Sequence, residues 1–489
     1  MCRNFVFIIG AAMLLLTACN QKKEIMAPVA KKISKELTIH GHTRIDNYYW
    51  LNQREDPEVI AYLEEENAYK DAVMIHTLDI QDQMYDEIKA KIKQSDESVP
   101  YLENGYYYFE KTLPETEYFL LCRKKGSLEA EEEVLLDVNS LASGFEYYQI
   151  GGASVSENNK ILAYGVDTLS RRKYTIYFKN LETGEVLEDN IPLTTGGVTW
   201  ANDNKTFYYT LKNETTLRSE RIMKHTLGTP STDDIEVFFE DDETFSVFIY
   251  KTKSKKFLII GSESTLTSEY RFLDANKPEG DFKIIQPRTR ELEYSVDHFG
   301  DDFYIRTNLD AQNFRLMKTL VNKTEVENWK EVIPHRNDVY FSNFEIFSKY
   351  LVIGERKEGI NGFHVIAWNG SIDYFVEFDE EVYNVRISTN LEFDTDLFRF
   401  SYSSLTTPNS FFDYNLSTKE RTLLKQEEVL GEFDKNNYET KRIYATASDG
   451  EKIPMSIVYR KGFEKNGENP ALIYGYGSYG YTRDPNFNL

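Results

Sequence analysis

Asn104-Gly105-Tyr106-Tyr107-Tyr108-Phe109 sets the pattern on which the fold reading rests: a polar turn followed at once by a dense apolar strand. The figure returns as Asn159-Lys160-Ile161-Leu162-Ala163-Tyr164 and, with Asn204-Lys205, as Thr206-Phe207-Tyr208-Tyr209. It returns again where Lys255-Lys256 precedes Phe257-Leu258-Ile259-Ile260 and Asp301-Asp302 precedes Phe303-Tyr304-Ile305. The last two instances are Ser348-Lys349 before Tyr350-Leu351-Val352-Ile353 and Thr395-Asp396 before Leu397-Phe398-Arg399-Phe400. The turns begin at 104, 159, 204, 255, 301, 348 and 395, with gaps of 55, 45, 51, 46, 47 and 47. A period near fifty, with about four short strands per unit, is that of propeller blades. A strand-rich chain without a repeat would scatter such turns irregularly. The spacing predicts a mainly β chain with a seven-bladed propeller over 95–428, each blade burying its faces against its neighbours around an axial channel. Hairpin chemistry such as Asn180-Leu181-Glu182-Thr183-Gly184 fits within the units.

On the N-terminal side, 36–94 reads as a helical segment that begins with a mixed loop, 36–53. Asp56 can cap a helix with Pro57 at its first position and Glu58 at its positive end. Val59, Tyr62, Leu63, Tyr69 and Val73 then share a face. A second helix is expected from about Asp79 to Lys93, with Ile80, Met84, Ile88 and Ile92 in one stripe. Further upstream, Arg3 and the apolar run Phe5 to Leu16 have signal-peptide length, too short to span a bilayer. Leu16-Thr17-Ala18-Cys19 resembles a bacterial lipobox, which implies a signal peptide over 1–18, an acylated Cys19 and a tether over 19–35. The alternative is an ordinary secretory signal with a chance cysteine. The expected location is the bacterial cell envelope, exported and held to a membrane only through that lipid anchor. Of the 3 cysteines, Cys122 alone would remain free, inside the apolar run Tyr118 to Cys122, so no internal disulfide is expected.

On the C-terminal side, 429–489 changes character. Glu439 to Tyr444 and Ile453 to Tyr459 read as paired strands around Ser448-Asp449-Gly450. A buried strand, Pro470-Ala471-Leu472-Ile473-Tyr474, then breaks into Gly475-Tyr476-Gly477-Ser478-Tyr479-Gly480. A strand entering a glycine-rich loop is how α/β-hydrolases place oxyanion donors, ahead of the nucleophile elbow in chain order.

Composition narrows the partners. With 57 basic and 80 acidic residues the formal charge is −23, which argues against nucleic acid or anionic lipid as the main partner. A cationic substrate is compatible, and so is an acidic surface that serves only solubility. The 7 histidines are scattered, so no metal site or cofactor is expected.

Several segments together resemble the prolyl oligopeptidase family and, within it, the oligopeptidase B branch. They are His40-Gly41-His42-Thr43-Arg44-Ile45-Asp46-Asn47-Tyr48-Tyr49-Trp50-Leu51, Ala61 to Asn67, Tyr294-Ser295-Val296-Asp297-His298, Ser401 to Pro408 and Tyr474 to Gly480. The resemblance implies a propeller capping an α/β-hydrolase domain on which the helical segment packs, here incomplete. It implies a serine-type oligopeptidase that cuts short basic peptides after Arg or Lys, with the propeller gating access. Ser-Ser-Leu-Thr-Thr-Pro and Gly-Ser-Tyr-Gly favour basic over proline specificity. By the same resemblance Tyr476 would donate its hydroxyl to the oxyanion, Tyr479 would wall a subsite and Asp484 would receive the basic side chain. Asn486 stands where some relatives carry a second acid. Tyr476 could also be a packing residue, and Asp484 a solvated loop charge. The family's serine, acid and histidine follow the glycine-rich loop, so the 489 residues are expected to be inactive alone. The competing reading is a non-catalytic envelope lipoprotein whose propeller binds a peptide or protein.

Overall fold

The computed structural model describes residues 25–488. The signal-peptide and Cys19 expectations lie outside the described residues. The chain divides into two compact units, one ending at Ile92 and the other starting at Lys93.

In the first unit, the stretch expected as a mixed loop is a hairpin: β1 (Lys35–Ile39) pairs antiparallel with β2 (His42–Asp46). The two-residue turn explains the difference. His40 and Gly41 both take positive φ, 51° and 75°, the geometry that matches the twist of paired strands. The end of the expected tether is tied down: Trp50 Nε1 donates to the Lys31 carbonyl at 2.9 Å, and Ile33 N donates to Asn47 O at 2.8 Å. Helix α1 (Pro57–Met74) starts as the capping chemistry requires, with Asp56 accepting from Glu58 N at 2.8 Å. Its Val59 is buried, whereas Leu63 and Val73 of the expected face are exposed. Helix α2 (Leu78–Ala90) forms within the expected span, and its stripe residues Ile80, Met84 and Ile88 are each more than half exposed.

In the second unit, six antiparallel sheets follow one another, all meanders in chain order except that Asp96–Glu97 and Tyr101–Glu103 of the first both pair with Tyr106–Thr112. The first has five strands between Asp96 and Asp137, the second has seven from Gln149 to Phe239, and the other four have four strands each. The seven apolar runs of the sequence repeat are all strands, from Tyr106–Thr112 to Leu397–Ser404. The expectation of seven separate blades does not match these sheets, because the runs at 161 and 206 share the seven-stranded one. The strand Val186–Trp200 joins its two halves, with a register break between Thr194 and Val198 and Gly196 at φ +95°. There the backbones nearly touch: a Cβ on Gly165 would lie 2.3 Å from Gly196 Cα. Because the sheet bends, its halves pack on each other, Ile176 and Phe178 against Trp200 and Phe207.

Apolar cores also fill each gap between consecutive sheets. Leu121 and Leu135 meet Leu162 and Val166, and Tyr208 and Ile222 meet Leu258 and Ile260. Phe272 meets Phe303, Leu316 meets Ile353, and Phe363 meets Phe398 and Phe400. Cys122 is a buried core residue, and burial pushes its thiol up to about 12. The last sheet meets the first through polar contacts. Arg399 forks onto Asp413 at 2.7 and 3.0 Å and donates to the Pro100 carbonyl at 2.6 Å, and Lys425 bonds Asp96. This succession of radially packed meanders is a propeller.

Beyond the sheets, Tyr438–Thr446 and Lys452–Arg460 pair as expected, with Gly450 at φ +93° in the turn. The expected buried strand 470–474 does not form: Leu472 and Ile473 are almost wholly exposed, in irregular backbone. A strand buried on both faces needs hydrogen-bonded neighbours, and no described strand pairs with this one.

Candidate functional site

All six sheets contribute to one cavity of about 870 Å³, so it lies where they converge. Its wall takes Glu103 from the first sheet, Trp200 from the second, Lys251 from the third, Asp297 from the fourth, Glu345 from the fifth and Thr389 following the first strand of the sixth. The charges are mixed and paired. Glu157 accepts from Lys251 at 2.6 Å and from Lys255 at 3.1 Å, and Lys253 pairs with Glu345 while its ammonium lies 3.6 Å from the Phe347 ring centre. Burial pushes the Glu103 and Glu345 carboxyls up and the Lys251 and Lys253 ammoniums down. Glu157 ends below its ordinary value because its two lysines outweigh the cost of burial. Asp297 is raised to about 6 by burial, against N–H donation from His298 and Lys253.

One serine–histidine contact lies close by. His298 Nδ1 is 2.9 Å from Ser254 Oγ, yet the ring is buried against Phe257 and Phe303, and burial lowers it to about 4. Among the described residues no carboxylate forms an ion pair with His298, so the ring has no orienting acid and the pair is structural.

The residues singled out in the sequence lie together on the last segment. Arg483 sits among three tyrosines, its guanidinium carbon 4.7 Å from the ring centre of Tyr474, 5.9 Å from Tyr476 and 5.5 Å from Tyr481. The Tyr476 ring is half exposed and meets Tyr481 edge-on at 5.6 Å. Tyr479 is 93% exposed at φ +57°, so it walls nothing among the described residues. Asp484 is the engaged one. Its side chain is only 8% exposed, and its oxygens meet Arg356 Nη1 at 2.8 Å and Arg386 Nη2 at 3.3 Å. Asn486 Oδ1 accepts from Asn384 at 2.7 Å, and Phe487 N donates to Ser403 Oγ at 2.9 Å.

These contacts give the Ser-Ser-Leu-Thr-Thr-Pro motif a structural reading. Glu380 accepts from Tyr402 OH at 2.9 Å and Thr407 Oγ1 at 2.6 Å, while Ser404 Oγ accepts from the amides of Thr406 and Thr407. The stiffened turn holds Ser403 where the Phe487 amide lands. The sequence reading missed Arg356, Arg386, Asn361 and Asn384, which are ordinary polar positions in strands, and no local signal links them to a segment about a hundred residues later.

Comparison with known proteins agrees with this architecture. Residues 28–427 match the prolyl oligopeptidase N-terminal beta-propeller domain. The chain is 42% identical over 480 residues to dipeptidyl aminopeptidase BI of Pseudoxanthomonas mexicana, covering 94% of this chain and 66% of the relative. It is 32% identical to protease 2 of Moraxella lacunata, covering 94% of this chain and 67% of the relative. Oligopeptidase B from Leishmania major superposes with a TM-score of 0.88 at 30% identity, over 95% of this chain and 69% of that one. The chain thus spans about two thirds of the length of the relatives it matches. With its propeller, its matched domain and these likenesses along nearly all its length, the chain belongs to the prolyl oligopeptidase family.

Proposed function

We propose that this chain is the propeller-bearing part of a serine oligopeptidase that hydrolyses short peptides after Arg or Lys, its triad encoded beyond residue 489. In this reading the seven-stranded sheet counts as two blades sharing Val186–Trp200, which makes seven blades around the cavity. The exposed stripe of α2 and the bare 470–474 segment are then surfaces for the rest of the hydrolase domain, since amphipathic helices owe most of their stability to packing. Tyr476 is the oxyanion donor, a role whose loss typically costs about 2.7–4 kcal/mol of barrier. Tyr479 lines a subsite and Asp484 takes the basic side chain. Cys19 carries the lipid that holds the enzyme in the envelope.

The observation that carries this reading is the likeness to peptidases along 94% of the chain. The test is hydrolysis of a chromogenic arginyl substrate by the product of the natural gene, blocked by a serine-reactive phosphonate. Lack of turnover on arginyl and prolyl substrates alike refutes it in favour of a lipid-anchored binding propeller.

A second reading follows from the 42% identity to a dipeptidyl aminopeptidase. The enzyme would then release dipeptides from a free N-terminus. Blocking the substrate's amino group separates the two, because an endo-acting oligopeptidase tolerates the block.

A further inference from the structure

The Asp484 carboxylate is ringed by donors. An ionised carboxylate offers about four lone-pair directions, and four donors lie on this one. Arg356 Nη1 at 2.8 Å and Thr482 Oγ1 at 3.4 Å address Oδ1, while Arg386 Nη2 at 3.3 Å and Asn361 Nδ2 at 3.4 Å address Oδ2. The two arginines come from different sheets, Arg356 from strand Tyr350–Lys357 and Arg386 from strand Tyr383–Ile387. They differ in how firmly they are held. The Arg356 side chain is 22% exposed and makes the short contact, whereas Arg386 is 60% exposed and makes the longer one.

We propose that Arg386 is a specificity-determining residue, a resident guanidinium on Asp484 that the cationic side chain of a peptide must displace, while Arg356 holds the carboxylate in place. This rests on the reading of Asp484 as the receiver of that side chain. A third guanidinium, from a peptide, can bond the carboxylate well only where a donor leaves, because charge-assisted pairs need both the lone pair and the geometry. Arg386 is the one that leaves: a mostly solvated arginine loses little when its pair opens. Arg356 stays, anchoring Asp484 and through it the segment that carries Tyr476. Affinity for basic peptides is thus lowered by a competitor built into the propeller, and neutral peptides do not displace it. The arrangement favours ligands whose cation reaches Asp484 in a well-aligned fork, which arginine does better than lysine.

The test is calorimetric titration of the natural gene's product with N-acetyl-arginine amide and, as the neutral isostere, N-acetyl-citrulline amide. Arg386→Gln is expected to bind the arginine probe at least fivefold more tightly than the wild type. Arg386→Lys keeps a resident cation and stays near wild-type affinity. The citrulline probe shows no gain, and the double variant Arg386→Gln/Asp484→Asn loses the gain. The proposal is overturned if Arg386→Gln stays within twofold of wild type, if the gain survives Asp484→Asn, if citrulline gains equally, or if no variant binds the probe. Because Arg386 is largely exposed, its substitution leaves the fold intact, which circular dichroism checks. Peptide hydrolysis is measured on the same preparations. Loss of hydrolysis alone, with the binding pattern intact, overturns the peptidase reading and leaves this inference standing.

Discussion

Asp297 and His298 are adjacent in the chain, and burial drives them in opposite directions, so replacing one should uncover the other. Asp297 is raised to about 6 from an ordinary value near 4. Between about pH 4 and 6 its native form therefore holds a proton that the unfolded chain has already lost. Its contribution to stability is full below the unfolded value and is lost as pH rises through about 6. At about 1.4 kcal/mol per unit, two units amount to roughly 3 kcal/mol. His298 is lowered to about 4 from about 6.5, so its contribution is present above 6.5 and lost as pH falls through about 4, also roughly 3 kcal/mol. Between pH 4 and 6 the two slopes oppose each other. Glu345 and Lys253 act on Asp297, the first raising and the second lowering it, while Lys256, Asp301 and Asp302 act on His298. Asp297→Asn keeps an oxygen to accept from the Lys253 and His298 amides and removes the buried charge. Its stability should exceed wild type by about 2–3 kcal/mol at pH 7.5 and match it near pH 4. The variant should also gain stability steeply from pH 4 to 6.5, the slope left by His298. Urea midpoints followed by tryptophan fluorescence at four pH values measure this. A variant no more stable than wild type at pH 7.5, or a difference that does not change with pH, refutes the reasoning.

Gly165→Ala should destabilise by about 3 kcal/mol or prevent folding, because its Cβ would meet Gly196 backbone at 2.3 Å, where nothing can rotate away. Gly362→Ala, where a Cβ meets nothing within 4 Å, is the matched control and should change the urea midpoint little. Arg399→Ala strips Asp413 and the Pro100 carbonyl of their shared donor, and a loss of about 1.5–3 kcal/mol is expected in the same assay, reduced at high salt. Cys122, buried and with its thiol pushed up to about 12, should resist a thiol reagent at pH 8 until urea unfolds the chain; rapid native labelling would contradict its place in the core.

The sequence by itself determined the repeating strands, the capped helix at Asp56 and the hairpin at Gly450, because each depends on neighbours a few residues apart. Turn chemistry, apolar periodicity and capping are local, and they are written where they act. Even the hairpin at 35–46 was legible in principle, in the His40–Gly41 turn between two polar-apolar alternations. Tertiary structure alone decided the rest. That the runs at 161 and 206 share one sheet depends on Gly165 meeting Gly196 across thirty-one residues. That Asp484 is held by Arg356 and Arg386 depends on strands 128 and 98 residues away. Long-range ion pairs and close backbone approaches leave no periodic trace, since charged residues on strand surfaces look alike whether they face solvent or a partner. The apolar strand expected at 470–474 makes the same point from the other side: its composition suits burial, and burial is decided by neighbours that the described residues do not provide.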